Sequence, residues 1–259
     1  MLHNGVMTKH LADITGEGVL LAGGARAILL QIANPSVGRG VAEHSSFAQD
    51  PLQRLRNTLT YIHVVASGTP QEIDRVVRAV RGAHSPVRAA HYDASDPALQ
   101  LWVAATLYDT ATLLYQQVFG ALAPEDAEAV YQDYAALATV LGMPRELWPE
   151  DRAAFRAYWN DSITHLTVDQ QTLDVARELL HPRRVPRWLR MAMPLARLVT
   201  AGLLTSEQRA LYGLPWGIRR QRRFDRALRI TAAVYPRLPG RIRHWPRDHY
   251  LGQFRALPH

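Results

Sequence analysis

Apolar side chains recur along this chain at intervals of three and four residues, the spacing that forms one buried face of an α-helix. Three dipeptides, Asp50-Pro51, Thr69-Pro70 and Asp96-Pro97, place a capping side chain directly before a proline, which the first turn of a helix tolerates. Each of them precedes such an apolar pattern. Further helices are predicted at 17–33, 124–141, 149–161, 168–180, 186–203 and 215–234.

Neither an alternating run typical of a strand nor an internal repeat accompanies these helices. The predicted fold class is therefore all-α, a single multi-helix domain at 17–250 that follows an N-terminal segment at 1–16. Glycine and proline lie mostly between the apolar patterns. Gly23 and Gly24 are the exception, and they indicate a close helix contact within the most apolar helix.

The composition is that of a globular protein, since 47% of the 259 residues are hydrophobic and 20% are charged. The absence of cysteine excludes disulfides, zinc–cysteine sites, iron–sulfur clusters and cysteine nucleophiles. The longest stretches without a charged residue, 57–71 and 110–124, are 15 residues long and too short to span a bilayer. Residues 1–10 lack the pattern of a secretion signal, so the expected location is cytoplasmic.

Charge is distributed unevenly along the chain. Residues 1–180 contain 13 basic and 20 acidic side chains, whereas residues 181–259 contain 17 basic and 3 acidic ones, a net charge of +14. Such a basic segment binds nucleic acid, contacts an anionic membrane surface, or packs onto the acidic part of its own chain. Its arginines are interleaved with apolar residues such as Trp188, Leu195 and Trp216, which a disordered arm would lack. Packing onto the fold is therefore favoured, ahead of a membrane surface and then of nucleic acid.

Motifs that support catalysis without a cofactor are missing from the chain. It has no glycine-rich phosphate loop, no H-E-x-x-H zinc motif and no G-x-S-x-G nucleophile turn. An all-α enzyme without these motifs needs a bound prosthetic group as the source of its reactivity.

His84 is the residue best placed to hold such a group. It follows in line with the apolar residues of its predicted helix, which are Ile73, Val77 and Val80. Pro86 disfavours helical geometry just beyond it, so the helix is expected to end at about His84. Pro86 also lacks an N–H, which leaves the carbonyl of Gly82 to accept from one ring nitrogen while the other binds a metal. Two interpretations stand, a haem-binding imidazole and a core histidine satisfied by a carbonyl.

Arg54, Thr58 and Tyr61 share one face of the preceding predicted helix, four and seven residues apart. A buried arginine needs an anionic or hydrogen-bonding partner. A haem propionate would accept two parallel bonds from Arg54, whereas an acidic side chain would form a salt bridge and leave Thr58 bonded to its own helix. The residues by themselves favour the salt bridge.

Eight short blocks resemble the catalytic-domain family of MpaB and the rubber oxygenases, which includes the latex-clearing proteins. They are LLQIANP at 29–35, VAEHS at 41–45, RLRNT at 54–58, HSPVR at 84–88, WVAAT at 102–106, GLL at 202–204, YGLPW at 212–216 and LP at 238–239. The resemblance covers about residues 17–250. Each block is weak alone, and the specificity lies in their order and spacing.

The resemblance implies an all-α, globin-like core that binds one haem b and uses dioxygen to oxidise an apolar small molecule. By motif matching, His84 would be the proximal iron ligand, and Arg54 and Thr58 would be the paired residues near the haem. Two positions depart from the family pattern. Ala104 stands where many members have histidine, and Asn57 stands where the rubber-cleaving members have lysine, so neither the substrate nor the reaction type carries over.

Three further residues are candidates with open alternatives. His44 either donates a hydrogen bond in a distal pocket or caps a helix end. Arg26 lies in the most apolar helix and must be paired, with a haem propionate or with an acidic side chain, and the acidic side chain is slightly favoured. Arg88 is a weaker candidate for a propionate, because Pro86 interrupts the helix that would align it with His84.

The sequence thus predicts a haem-b-dependent oxygenase or oxidoreductase whose partners are an apolar small molecule and dioxygen. The alternative is a non-catalytic helical protein that binds an apolar ligand or an anionic membrane surface through its basic C-terminal third. Nucleic acid is not an expected partner, because the chain has no clear helix-turn-helix pattern and its arginines are spread over several helices.

Overall fold

The computed structural model describes residues 8–44, 51–84, 88–89, 92–93, 95–182 and 185–257. Most of these residues are helical, which confirms the predicted all-α class. The α-helices, numbered in chain order, are α1 (Leu11–Thr15), α2 (Gly24–Ala33), α3 (Pro35–His44), α4 (Pro51–Ser67), α5 (Pro70–His84), α6 (Pro97–Phe119), α7 (Pro124–Tyr134), α8 (Ala136–Thr139), α9 (Arg152–Thr164), α10 (Gln170–Leu180), α11 (Arg187–Leu203), α12 (Ser206–Leu211), α13 (Ile218–Val234), α14 (Gly240–Arg243) and α15 (Trp245–Ala256). Among the described residues, no helix combines the length and the apolar character that crossing a membrane requires.

At two of the three predicted helix starts, the structure shows the hydrogen bonds of the capping residue. Asp96 accepts from the backbone N–H of Ala98 at 2.8 Å, which caps α6. Thr69 and Glu72 cap α5 reciprocally: Glu72 N donates to Thr69 Oγ1 at 3.3 Å, and Thr69 N donates to Glu72 Oε2 at 2.8 Å. The third capping residue, Asp50, lies outside the described residues, although α4 begins at Pro51 as expected.

Several boundaries differ from the predicted ones. The 124–141 helix is divided into α7 and α8, and the 17–33 helix starts as a 3-10 turn and becomes α-helical at Gly24. The apolar pattern does not predict α1, α3, α12, α14 or α15, which are short or have weak periodicity. The core also includes Leu11 and Ile14 of α1, which precede the expected domain start at residue 17.

A small hairpin follows α5. Its strands are β1 (Arg88–Ala89) and β2 (Tyr92–Asp93), which pair antiparallel. Strands of two residues are too short to show an alternating pattern, so no apolar periodicity predicts them. Strand β2 packs against α3.

Helix α2 is buried, and four carbonyls towards its C-terminal end accept hydrogen bonds from distant parts of the chain. The bonds run from Trp102 Nε1 to Leu30 O at 3.2 Å and to Gln31 O at 3.3 Å, from Thr167 N to Ala33 O at 2.9 Å, and from Tyr212 Oη to Leu29 O. The last carbonyls of a helix have no partner within it, and a buried carbonyl without a partner is costly. These bonds satisfy the end of α2 and hold it against α6 and the segments before α10 and after α12.

Two glycines allow other helices to come close to this centre. A Cβ at Gly38 of α3 would lie 2.4 Å from the carbonyl oxygen of Ile32 and 2.7 Å from Thr172 Oγ1. A Cβ at Gly23 would lie 2.8 Å from Thr110 Cγ2 of α6, which confirms the close helix contact predicted at this position. Gly24, by contrast, has no atom within 4 Å of its would-be Cβ.

The basic C-terminal third packs back onto the acidic part of the chain at two places. Arg255 of α15 forms a two-point ion pair with Glu72 of α5, with Nε to Oε1 at 2.7 Å and Nη2 to Oε2 at 3.3 Å. This hydrogen-bonded partner, together with the capping bond from Thr69, lowers the pKa of Glu72 to about 2. Arg243 Nη1 lies 2.8 Å from Oε1 of the buried Glu17. These pairs support the favoured interpretation that the basic segment covers its own fold.

Helix α15 also covers His63 of α4. This side chain is only 4% exposed, and neither ring nitrogen has a hydrogen-bond partner among the described residues. The ring stacks on Tyr250 with the centroids 6.2 Å apart. Burial, assisted by the positive charge of Arg247 and opposed by the negative charge of Asp248, lowers the pKa of His63 to about 4. His63 is therefore a neutral core residue.

Gly38→Ala is expected to lower the free energy of unfolding by about 1–3 kcal/mol, because the added methyl group meets a backbone carbonyl that has no room to move. The matched control is Gly252→Ala in α15, where a Cβ meets no atom within 4 Å. Alanine favours a helix, so this control should be neutral or stabilise by up to about 1 kcal/mol. Urea denaturation followed by circular dichroism measures both variants, and equal losses would contradict the close approach of α3 to α2.

The folded state is expected to lose stability as the pH falls from 6.5 to 4. A histidine in the unfolded chain takes up a proton near pH 6.5, whereas His63 in the folded chain resists protonation down to about pH 4. The unfolded state therefore binds more protons in this range, which costs the folded state up to about 3 kcal/mol at pH 4.

Urea midpoints measured across this pH range test the effect. His63→Phe keeps a ring against Tyr250 and should flatten the pH dependence, while His165→Gln, which changes an exposed histidine, should leave it unchanged. A His63→Phe protein that weakens in acid as steeply as the parent chain would show that another group is responsible.

Candidate functional site

Helices α4 and α5 form a helical hairpin with a two-residue turn. Both are anchored on neighbouring carbonyls at the end of α8: Tyr61 Oη donates to Leu137 O at 2.6 Å, and Arg81 Nη2 donates to Val140 O at 3.2 Å. The two acceptors are three residues apart, so Tyr61 and Arg81 contact the same part of the chain from different helices. Burial raises the pKa of Tyr61, and the charge of Arg81 is close enough to oppose this shift.

The hairpin carries two described candidate residues at different distances from its turn. Thr58 lies near the middle of α4, one turn before Tyr61, and His84 is the last residue of α5, one turn after Arg81. Since the two helices run in opposite directions, His84 lies at the end remote from the turn, alongside the first turns of α4. Helix α5 ends at His84, as the following proline predicts, and the side chain of His84 is half-buried.

Thr58 does not face inward as its spacing from Tyr61 suggested. Residues 55–58 are exposed, whereas Tyr61 and Val65 on the same helical face are buried. The physical reason is the extent of the packing, because the described elements cover α4 only from Leu59 onward.

The backbone alone defines the positions of three other candidates, since their side chains lie outside the described part of the structure. Arg54 lies one turn before Thr58 in α4, His44 is the last residue of α3, and Arg88 begins β1. Arg88 therefore does not share a helical face with His84, in agreement with the break expected at Pro86. Because β2 packs against α3, the hairpin that follows His84 is a neighbour of the helix that ends in His44.

Arg26 of α2 has an acidic side chain as its partner. Of the two partners that the sequence leaves open, a haem propionate and an acidic side chain, this is the one that is slightly favoured. The side chain is 4% exposed, and its Nη2 lies 2.7 Å from Oδ2 of Asp109 in α6. Nε donates to Leu203 O at 2.9 Å, and Nη1 donates to Thr110 Oγ1 at 2.6 Å. Burial raises the pKa of the Asp109 carboxyl, and the adjacent guanidinium opposes that shift. With all three nitrogens in contact with protein oxygens, Arg26 acts as a structural link rather than as a ligand of a propionate.

Asp109 is not part of any motif, although the distribution of charge in the sequence indicates it. Arg26 is the only charged residue of α2, and Asp109 is the only charged residue of α6. Two apolar helices that carry one charge each, of opposite sign, can bury both charges only by pairing them. The two lone charges therefore point to Asp109 as the partner of Arg26.

The departure at Ala104 lies in the interior of the protein. Ala104 is 2% exposed, between Trp102 and Thr106, which both bond to α2; Gln31 Nε2 donates to Thr106 Oγ1 at 3.1 Å. The blocks at 29–35, 102–106, 202–204 and 212–216 thus meet around α2. At this meeting point the alanine supplies no group that can donate or accept a proton.

Within the ranges that the structure describes, no group of three or more His, Asp or Glu side chains is arranged to hold a metal ion. An open groove of about 430 Å³ lies between α1, the end of α4 and α7–α8, with His10, Asp133 and Arg145 among its lining residues. It contains none of the candidate residues. The candidates with a possible cofactor role are instead His84 and its neighbours at the end of the α4–α5 hairpin.

Comparisons with known proteins agree with this architecture. The chain matches a solved structure of latex clearing protein in the closed state with a TM-score of 0.62 and 16% sequence identity, over 95% of this chain and 74% of that one. The match shows a shared fold. In sequence, the chain is 35% identical over 241 residues to an uncharacterized protein of Mycobacterium bovis and to another of Mycobacterium tuberculosis, which covers 89% of this chain and 94% of each relative.

A family model matches residues 12–233, a range that includes most of α1 and most of the basic third. Its description is the catalytic domain of the ER-bound oxygenase mpaB/B′ and rubber oxygenase. The family resemblance is therefore confirmed, and seven of the eight short blocks lie within the matched range. The chain belongs to the mpaB and rubber oxygenase catalytic-domain family.

Proposed function

We propose that this protein is a haem-b-dependent oxygenase that uses dioxygen to oxidise an apolar small molecule, with His84 as the axial ligand of the iron. Family membership supports the oxygenase activity. The observation that carries the haem assignment is the position of His84, a half-buried imidazole at the end of an amphipathic helix and at the end of the α4–α5 hairpin where α4 begins.

The donor set fits this cofactor. Haem iron receives four donors from the porphyrin, so the protein needs to supply a single axial ligand, and no cysteine competes with histidine for that role. An imidazole can bind iron through one nitrogen while the other donates its N–H to an orienting partner. Arg54 in α4 and Arg88 in β1 flank His84 along the chain, and we assign them to the propionates, which arginine binds in a two-point geometry.

Haem b, when bound, supplies the oxidation–reduction chemistry with dioxygen. The protein's own residues orient the reactants around it. We assign Thr58 a hydrogen bond beside the cofactor, and His44 a donor role on the substrate side, where Ala104 offers no polar group. Apolar residues of α5 would exclude water from the ligand side, which strengthens the electrostatic interactions there.

The remaining parts of the proposal concern the setting of the reaction. Family membership supports an apolar substrate, whose identity is not assigned. The cytoplasmic location and the absence of a nucleic-acid partner stay predictions, as does the domain division at residues 17 and 250.

The visible spectrum of protein reconstituted with haemin tests the assignment. The parent chain should show a Soret band, and His84→Ala should lose it because the iron has no other axial ligand in the proposed site. Added imidazole should restore the band in His84→Ala by occupying the space of the missing side chain.

His63→Phe is the matched control. It changes a buried histidine of the adjacent helix α4 that is not proposed to bind iron, so this variant should keep the Soret band. Circular dichroism establishes that each variant is folded. A Soret band that survives His84→Ala unchanged would overturn the ligand assignment, and a parent chain that stays colourless with haemin would overturn the haem proposal.

A further inference from the structure

Helix α13 has one buried side and one strongly basic side. Phe224 is buried and packs closely against Gly202 of α11. Leu228 is half-buried and packs on the apolar cluster that contains Phe224. The opposite side is the basic face of α13, defined by its exposed arginines and apolar residues. They are Arg219, Arg222, Arg223, Arg226, Arg229, Ile218, Ile230 and Val234.

The arginines of this face are not neutralised by the protein. Among the described residues, no acidic side chain forms an ion pair with any of the five. The one acid of α13, Asp225, lies on the half-buried side and accepts from Gln221 Nε2 at 2.8 Å. In contrast to Arg243 and Arg255, which pair with Glu17 and Glu72, these cations remain available to a partner outside the chain.

Large apolar side chains lie among these cations. Ile218 is 65% exposed, Ile230 is 54% exposed and Val234 is 52% exposed. Arg219, Arg226 and Ile230 are spaced by seven and four residues, so the apolar and cationic groups share one surface of the helix. A helix with this combination, arginines on a face that also carries aliphatic side chains, has the composition of an interfacial membrane helix.

We propose that the basic face of α13 docks the protein onto an anionic membrane surface. The arginines complement the negative headgroups, and the side chains of Ile218 and Ile230 gain free energy by entering the boundary between headgroups and acyl chains. A nucleic acid would satisfy the arginines but would leave the aliphatic groups in water. A second copy of the chain would place like charges opposite each other. This docking does not depend on the proposed haem chemistry.

Co-sedimentation of the full chain with vesicles tests the proposal. Phosphatidylcholine vesicles that contain phosphatidylglycerol should bind the protein at low salt, and pure phosphatidylcholine vesicles should bind it much more weakly. Raising the salt should weaken binding because the attraction is screened. Arg222→Glu with Arg226→Glu should reduce the partition coefficient by roughly tenfold or more.

The matched control is Arg78→Glu with Arg156→Glu, which makes the same change in net charge at exposed arginines of α5 and α9 and should reduce binding far less. Ile218→Ser with Ile230→Ser removes apolar area without changing charge and should also weaken vesicle binding. Thermal melts show whether each variant is folded.

Three outcomes would overturn the proposal. Equal binding to neutral and anionic vesicles would remove the electrostatic basis. An equal loss of vesicle binding in the two double arginine variants would show that binding depends on net charge and not on the basic face of α13. Binding to a single-stranded oligonucleotide that is tighter than binding to the vesicles and unaffected by the serine substitutions would identify nucleic acid as the partner.

Discussion

The buried end of α2 is the constraint on which the rest of the structure depends. A helix inside a protein must obtain partners for its last carbonyls and for any charge that it carries, because water is not available there. In this protein Trp102, Thr167 and Tyr212 supply the hydrogen bonds, and Asp109 supplies the counter-charge for Arg26. Elements far apart in sequence are thereby fixed around one helix, and these include four of the blocks that carry the family resemblance.

The candidate site lies at the border of this fixed centre. Tyr61 and Arg81 anchor the α4–α5 hairpin on the carbonyls of Leu137 and Val140, and both helices extend past these anchors. His84 is half-buried at the end of α5, and Thr58 is exposed near the middle of α4. The described elements cover α4 only from Leu59 onward. The same geometry explains why the spacing of Thr58 relative to Tyr61 overstated its burial.

Charge in the C-terminal third serves two purposes that the net value of +14 does not separate. Arg243 and Arg255 pair with acids of the first part of the chain and hold α15 in place over α4 and α5. The arginines of the basic face of α13 have no such partners among the described residues. Both groups look alike in a count of charged residues. They differ in whether a carboxylate of the body is within reach, and only the packing of the helices decides that.

The sequence alone predicts the all-α class, the family, the capped helix starts at Thr69 and Asp96, the end of α5 at His84 and the close approach at Gly23. Each of these depends on neighbouring residues, because capping, proline geometry and apolar spacing act over one or two turns. The charges of α2 and α6 also indicate the pairing of Arg26 with Asp109. The exposure of Thr58 and the enclosure of His63 are known only from the folded structure. His63 meets Tyr250 of α15, 187 positions away, and the burial of α4 depends on which elements pack over it, so neighbouring residues contain no signal for either outcome.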